Sequence, residues 1–241
     1  MNFNAPISPK LYARNAGLLY LLIIVVGMFA VIFARDKLIV SGDPAATAGN
    51  LVAHNLLWRT GIAADLVMHL CDIPVMLVIF VLLRPVDKNM ALLALLFNMV
   101  QTAVLVANKL NLVAALLPLG NATYLKAIPP AQADVQMYLS LKLHDIGFGV
   151  GLIFFGFTCL VNGYLVFRSG YFPKVIGILL QIAGVCYIAS NFMLLLVPEI
   201  AAKLFPASIL PCFIAELTFC LWLIFKGVDI NIWNKAVSGS S

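Results

Sequence analysis

The fold of this chain is decided by residues 61–83, which read GIAADLVMHLCDIPVMLVIFVLL. A helix needs about 20 mostly apolar residues to cross the hydrocarbon layer of a bilayer, and this run is long enough. Three ionisable side chains interrupt it: Asp65, His69 and Asp72. Because a charged group at the centre of a spanning helix costs about 2.5 to 3.5 kcal/mol on insertion scales, such groups indicate a functional site. The stretch therefore predicts a membrane protein and a place for its chemistry.

The composition of the whole chain agrees with this interpretation. Of 241 residues, 63% are hydrophobic and 10% are charged, whereas soluble domains carry about 25% charged residues. The net charge of +5 comes from lysines and arginines that are spread singly along the chain and fall mostly between apolar runs. Such a distribution is typical of membrane topology, so we expect the lipid bilayer as a partner and no nucleic acid.

We predict an all-α integral membrane protein, a bundle of six transmembrane helices in a single domain, residues 1–241. The long connections at residues 34–60 and 113–143 should carry short amphipathic segments in the outer loops, because prolines and a glycine interrupt their apolar stretches. Residues 238–241 are expected to form a flexible tail. The six spans are predicted at about residues 11–33, 61–83, 90–112, 145–167, 174–197 and 207–226.

The basic residues predict the sidedness of the bundle. The side with tight connections holds eight lysines and arginines: Lys10, Arg14, Arg84, Lys88, Arg168, Lys174, Lys226 and Lys235. The opposite side holds six: Arg35, Lys37, Arg59, Lys126, Lys142 and Lys203. Since cytoplasmic loops carry the excess of positive charge, we place the tight connections and both termini in the cytoplasm.

Asp65, His69 and Asp72 form one polar stripe. Their spacing of i, i+4 and i+7 puts them within about 60° of one helix face. His69 lies within reach of both carboxylates, an arrangement in which a carboxylate fixes the tautomer of an imidazole.

Other buried polar residues fall at matching depths, because successive helices run in opposite directions. The midplane residues Asp72, Gln101 and Glu216 and the outer-half residues predict a polar cavity that opens outward and ends at mid-depth. The outer half holds Asp65, His69, Asn108, Lys109, His144, Asp145 and Asn191. From these sets, the predicted substrate- or proton-binding residues are Asp65, His69, Asp72, Gln101, His144, Asp145, Asn191 and Glu216.

Plain packing is the alternative explanation for many of these groups, since polar side chains between membrane helices often only bond one another. It suffices for Asn98, Gln101, Asn108, Asn162 and Asn191, and it competes evenly with a functional role for His144 and Asp145. For Asp72 and Glu216 a functional role is favoured, because packing alone rarely justifies a lone midplane carboxylate. The tryptophans and most tyrosines are expected as interface anchors or lipid-facing bulk. The glycines at positions 147, 149 and 151 predict close helix packing.

Four motifs spread over nearly the whole chain point to a family. They are YARNAGLLY at residues 12–20, LHDIGF at 143–148, GYLVFRSGYFP at 163–173, and EL at 216–217 followed by LWLIFKGV at 221–228. On these residues the chain resembles a family of bacterial multi-pass membrane proteins catalogued only as a domain of unknown function. The resemblance implies a protein of the bacterial inner membrane and implies no established activity.

The favoured function is small-solute or proton-linked transport, with Asp72 and Glu216 exchanging protons as a small molecule binds and with no cofactor. Against it stands the absence of a visible inverted repeat.

Two other classes stay open, so the sequence leaves undecided whether the protein is an enzyme. One is an intramembrane metal-dependent hydrolase, with zinc held by His69, His144 and Asp72, or with Asp65 or Glu216 as the carboxylate. A related form is a redox protein with haem held by His69 and His144. The other class is a non-enzymatic accessory or sensor protein. Oligomeric state and substrate are beyond the sequence.

Overall fold

The structure, a computed structural model, describes the backbone of residues 8–239 and all side chains of that range except those of residues 202–208 and 239. Every regular element in this range is a helix, which confirms the all-α prediction. A π-helix, Phe29–Arg35, joins α1 to α2, and a 3-10 helix, Thr123–Ala127, precedes α6. The α-helices are α1 Pro9–Met28, α2 Asp36–Leu38, α3 Pro44–Ala53, α4 Asn55–Leu83, α5 Lys88–Ala114, α6 Pro130–Ser169, α7 Lys174–Leu196, α8 Pro198–Phe225 and α9 Ile230–Gly239.

Five helices of the described range are long and apolar enough to cross a membrane. They are the continuous run Pro9–Leu38, α4, α5, α6 and α7. A sixth span is reached when Ile209–Phe225 and Ile230–Ser238, which meet at an angle of 95°, are counted together. The predicted multi-pass bundle is therefore confirmed, with five to six helices able to span the bilayer.

The longest helix, α6, extends far beyond its predicted span of residues 145–167. It has 40 residues and is about 60 Å long at 1.5 Å per residue, twice the thickness of the hydrocarbon layer. The main core of the bundle contains Leu165 and Leu223. Separately, the first turns of α6 bury Met137 and Leu141 in a small second core with Leu51, Trp58 and Leu112. The short helices α3 and Thr123–Ala127 agree with the predicted helical segments in the long loops.

Trp58 corrects the expectation that the tryptophans are anchors or lipid-facing bulk. It is 1% exposed, and its indole N–H donates to the carbonyl of Leu112 at 3.1 Å. The ring therefore fills the second core and joins α4 to α5.

α6 and α7 pack backbone to backbone through two pairs of glycines. A Cβ added at Gly163 would lie 2.7 Å from the carbonyl oxygen of Gly177, and one at Gly184 would lie 2.7 Å from that of Gly156. The predicted glycine stripe one to two turns earlier is also confirmed as close packing, since a Cβ at Gly151 would lie 2.5 Å from the Leu105 side chain. The two helices approach closely because both lack a side chain at these paired positions.

The two tight turns, residues 84–87 and 170–173, define the tight-turn end of the bundle. There α6 ends at Gly170, whose φ of 72° is a left-handed conformation that glycine adopts without steric cost. The hydroxyl of the buried Tyr171 donates to the carbonyl of Leu82 at 2.6 Å, and the indole of Trp233 in α9 donates to the same carbonyl at 3.1 Å. Burial raises the pKa of the Tyr171 phenol, so the hydroxyl keeps its proton. The opposite end, with residues 39–54 and 115–129, is called the long-loop end.

Candidate functional site

Three buried polar residues and one partly buried arginine near the long-loop end form a charged cluster: Asp65, Lys109, His144 and Arg35. One carboxylate oxygen of Asp65 accepts from the Arg35 guanidinium and lies 3.2 Å from the ammonium nitrogen of Lys109. That ammonium nitrogen is also 3.5 Å from Nε2 of His144. Asp65 is 1% exposed, Lys109 2% and His144 4%. Charges this deeply buried are tolerated only when they are paired, and here they pair with one another.

Close backbone approach brings the charged cluster together. A Cβ at Gly61 would lie 2.6 Å from the Cβ of Ala34, so the π-helix contacts α4 directly where Arg35 must reach Asp65. On the other side, the amide of Asn108 donates to the backbone carbonyl of His144 at 2.8 Å. The common depth predicted for Asp65, Lys109 and His144 is confirmed by these contacts.

His69 differs from its prediction. Asp65 is engaged by Arg35 and Lys109, and Asp72 accepts from residues of α5, so neither carboxylate fixes the imidazole. His69 is 3% exposed, and its Nε2 has no hydrogen-bond partner within the described part of the chain. A buried polar atom without a partner costs about 1 to 3 kcal/mol. In native proteins such an atom often marks a functional site.

A central cavity of about 220 Å³ lies between the helices on the tight-turn side of the charged cluster. Every spanning element contributes to its wall, from Tyr20 in α1 to Phe219 in α8. The wall is mostly aromatic and aliphatic. Its polar members are Tyr20, His69, Asp72, Asn98, Gln101, Thr158, Asn162, Tyr187 and Glu216.

The first carboxylate of the central cavity, Asp72, is held by neutral groups of α5. It accepts from the amide nitrogen of Asn98 at 3.0 Å and from the hydroxyl of Thr102 at 2.5 Å. Asn98 therefore does more than join helices, because its amide orients a carboxylate of the cavity.

The second carboxylate, Glu216, is held by two phenols. Tyr20 donates to it at 3.0 Å, and the hydroxyl of Tyr187 donates to its other oxygen. Within the described residues no cation forms an ion pair with Asp72 or Glu216. Each carboxylate thus has two neutral donors and no counter-charge.

The predicted site residues therefore divide into separate groups. His69, Asp72, Gln101 and Glu216 line the central cavity, whereas Asp65 and His144 belong to the charged cluster. The remaining two lie elsewhere.

Asp145 and Asn191 belong to neither group of buried contacts. Asp145 lies at the exposed edge of the charged cluster, with its Oδ1 3.7 Å from Nδ1 of His144. The side chain of Asp145 is 61% exposed and lies 4.0 Å from Lys142. The amide of Asn191 donates to the carbonyl of Tyr187 in its own helix at 2.8 Å. Asn191 thus follows the packing explanation.

The position of the cavity also differs from the prediction of an outward-opening pocket. The end where the opening was expected is filled by the buried ion pairs of the charged cluster. The cavity instead extends from His69 toward the tight-turn end, where Phe80 and Ala91 form part of its wall.

Four contributing residues were missed from the sequence: Arg35, Thr102, Tyr20 and Tyr187. Arg35 was assigned to a loop, although the same depth argument would have placed the end of the first helix level with Asp65. Most tyrosines were expected as interface anchors or lipid-facing bulk, and Tyr20 and Tyr187 depart from that expectation because both bind Glu216. Tyr20 lies 196 residues from Glu216, and no local pattern connects such positions.

The two histidines of the predicted zinc or haem site have different surroundings. Nε2 of His144 faces Lys109, and His69 lines the central cavity. Among the described residues no group of three or more His, Cys, Asp and Glu side chains could hold a metal ion. Zinc and haem stay predictions, to be checked by elemental analysis and a visible spectrum of the purified protein.

The apolar helices, and the polar groups buried between them, define a multi-pass helical membrane protein. The chain belongs to the family described as a domain of unknown function (DUF4386), which matches residues 15–227. It is similar to an uncharacterized protein of Archaeoglobus fulgidus, with 28% identity over 165 residues that cover 66% of this chain and 79% of that protein. No solved structure matches the chain.

The family resemblance seen in the motifs is confirmed by this match, and no established activity comes with it. Because the relative is archaeal, a bacterial source and the inner membrane stay predictions.

Proposed function

We propose that the protein is a proton-linked carrier of a small solute. The central cavity is its binding site, and Asp72 and Glu216 are its proton-binding groups. One observation carries the proposal: both carboxylates line the same cavity, held only by neutral donors. A carboxylate in apolar surroundings must be neutralised by a proton or by a bound cation. Two such groups therefore link solute binding to proton exchange.

Asp65 supplies the contrast within the same helix. Its charge is matched by Arg35 and Lys109, so it has the partners of a structural ion pair. Asp72 lies two turns further along α4, and its carboxylate accepts only from the neutral side chains of Asn98 and Thr102. The chain thus places its permanent ion pairs near the long-loop end and its unmatched carboxylates at the cavity.

Helix α4 has a feature suited to a moving element. Pro74 lies inside it, two residues after Asp72, and a proline leaves a backbone carbonyl of the preceding turn without its helical hydrogen bond. Interrupted helices beside a binding site are common in carriers. This supports transport over static binding as the function of the cavity.

The test uses the full chain in liposomes that contain a pH-sensitive dye. Ammonium, alcohol and carboxylic acid solutes are added outside, and the internal pH is recorded. We expect at least one class to change the internal pH faster than it does in protein-free liposomes, into which neutral amines and acids pass unaided. The Asp72→Asn and Glu216→Gln variants should lose the signal, whereas Asp145→Asn, which removes an exposed carboxylate outside the cavity, should keep it.

Two outcomes would contradict the carrier. One is a pH change above that of protein-free liposomes that persists in both cavity variants. The other is the absence of a signal with every solute class, combined with altered melting temperatures of the two variants, which would favour the accessory or sensor role.

A further inference from the structure

The wall of the central cavity has a marked charge imbalance. It contains Asp72 and Glu216, while no lysine or arginine of the described residues lines it. The donors to the two carboxylates are an amide and three hydroxyls. A charged ligand for this cavity is therefore expected to be a cation, because a carboxylate of the wall can pair with it after losing a proton, whereas no positive group of the described wall can pair with an anion.

His69 gives an independent indication of a ligand. Its side chain lines the same cavity, and the residue is only 3% exposed. Its Nε2 has no hydrogen-bond partner among the described residues. An imidazole nitrogen without its proton accepts a hydrogen bond. This nitrogen has less than 1 Å² of accessible surface, so a ligand with several N–H donors would satisfy it, together with a carboxylate, once the ring rotates toward the cavity.

The rest of the wall suits the apolar part of such a ligand. It includes the rings of Phe148, Phe155 and Phe219 and the side chains of Met68 and Met76. Aromatic faces attract cations, most strongly where water is excluded. The cavity volume of about 220 Å³ lies below the 300 to 1,000 Å³ of sites for drug-sized molecules, so the ligand is small.

We propose that the cavity binds a small organic ammonium ion with an apolar substituent. The ammonium group lies among His69, Asp72 and Glu216, and the substituent contacts the aromatic wall. The proposal rests on the proposed function and names its substrate class. In the exchange, one carboxyl proton leaves for each ammonium charge that enters, so the charge of the cavity is unchanged.

The binding test uses detergent-purified full-length protein and three probes that share a phenyl ring: 2-phenylethylammonium, 2-phenylethanol and phenylacetate. Titration calorimetry should show the ammonium binding at least about tenfold more tightly than the alcohol, the ratio that one charge-assisted hydrogen bond supports. Asp72→Asn and Glu216→Gln should each weaken ammonium binding by about tenfold or more and leave alcohol binding unchanged. Asp145→Asn should bind all three probes as the unaltered protein does.

Each variant is checked by melting temperature and gel filtration. Retained binding of the alcohol shows that the cavity is intact even where ammonium binding is lost. Binding of the alcohol as tight as that of the ammonium, or preferential binding of phenylacetate, would overturn the ammonium site.

The same probes in dye-loaded liposomes separate this inference from the proposed function. Ammonium binding with a change in internal pH no faster than in protein-free liposomes would contradict the proton-linked carrier and retain the ammonium site. A carboxylate-dependent pH change driven by the alcohol or the acid, without one driven by the ammonium, would retain the carrier and overturn the ammonium site.

Discussion

Asp65 and His69 lie one helical turn apart on α4, and both are almost fully buried. The carboxylate of Asp65 has two cationic partners, whereas Nε2 of His69 has no partner within the described residues. The paired carboxylate of Asp65 is compatible with a stable fold, whereas the unpartnered buried nitrogen of His69 destabilises the folded state. A residue kept at such a cost fits a ligand contact, and this gives opposite expectations for substitutions at the two positions.

Replacing His69 with leucine should raise the free energy of unfolding by about 1 kcal/mol, because it removes an unsatisfied buried polar group. The same change should weaken binding of 2-phenylethylammonium. Thermal unfolding in detergent and calorimetry on the same sample measure both effects. Loss of stability together with unchanged binding would assign His69 a purely structural role.

Replacing Asp65 with asparagine should destabilise the protein by about 3 to 5 kcal/mol, the range found when one partner of a buried ion pair is removed. Two cations, Arg35 and Lys109, would then be left buried without a counter-charge. The matched control is Asp145→Asn, whose exposed side chain predicts a change within about 0.5 kcal/mol. Equal melting temperatures for the two variants would contradict the ion-pair assignment.

The relative depth of the buried polar residues could be predicted from the sequence. The depth argument grouped Asp65, Lys109 and His144 correctly because antiparallel helices fix the level of each residue. It did not fix rotation about each helix axis, so it placed Asp145 in the site although that side chain is 61% exposed and reaches only the edge of the cluster, 3.7 Å from Nδ1 of His144. The rotation of a helix about its axis is set by its packing against neighbouring helices, and this packing cannot be read from a single sequence.

At the scale of elements, the contact between α6 and α7 follows from paired glycines. Gly156 opposes Gly184, and Gly163 opposes Gly177. The two glycines of each helix have the same spacing in the sequence, as expected for paired positions on antiparallel helices. Without a difference in polarity between lipid and protein surface, such close packing is a main source of helix association in membranes.

Replacing Gly163 with alanine should destabilise the protein by about 1 to 3 kcal/mol, because the new Cβ would lie 2.7 Å from a backbone oxygen that has no room to move. The control is Gly49→Ala in α3, where a Cβ meets nothing within 4 Å. There alanine should be neutral or stabilise by up to about 1 kcal/mol. Melting temperatures of both variants test the contrast, and a tolerated Gly163→Ala would contradict the close contact.

Helix boundaries were predicted best where the lipid sets them. The end of α4 and the start of α7 coincide with the predicted residues 83 and 174. The start of α6 was predicted at residue 145 and lies at Pro130, because its first turns bury an apolar face on α3 and α4 while keeping polar residues outside. Hydropathy identifies the part of a helix that lies in the lipid. It does not detect that α6 continues beyond the lipid into the small second core.

At the scale of the whole molecule, the number of spans and the location of the termini depend on one segment. Five helices meet the length and apolarity of a span, and Ile209–Phe225 completes a sixth only together with the α9 segment bent by 95° from it. Six crossings put both termini on one side, and five put them on opposite sides. Glu216 lies in this segment, so its depth in the membrane depends on the same answer.

We expect six crossings, with the tight-turn end and both termini in the cytoplasm. If Ile209–Phe225 crosses, the 95° bend lays α9 along the membrane surface, where Lys226 and Lys235 suit the cytoplasmic side. The measurement uses fusions of green fluorescent protein and of alkaline phosphatase at each terminus and after Gly120 in a bacterial host. Fluorescence should appear at both termini, and phosphatase activity should appear only after Gly120. Reporters that place the termini on opposite sides would show that Ile209–Phe225 does not cross, and Glu216 would then reach the central cavity from a helix that enters and leaves on the same face.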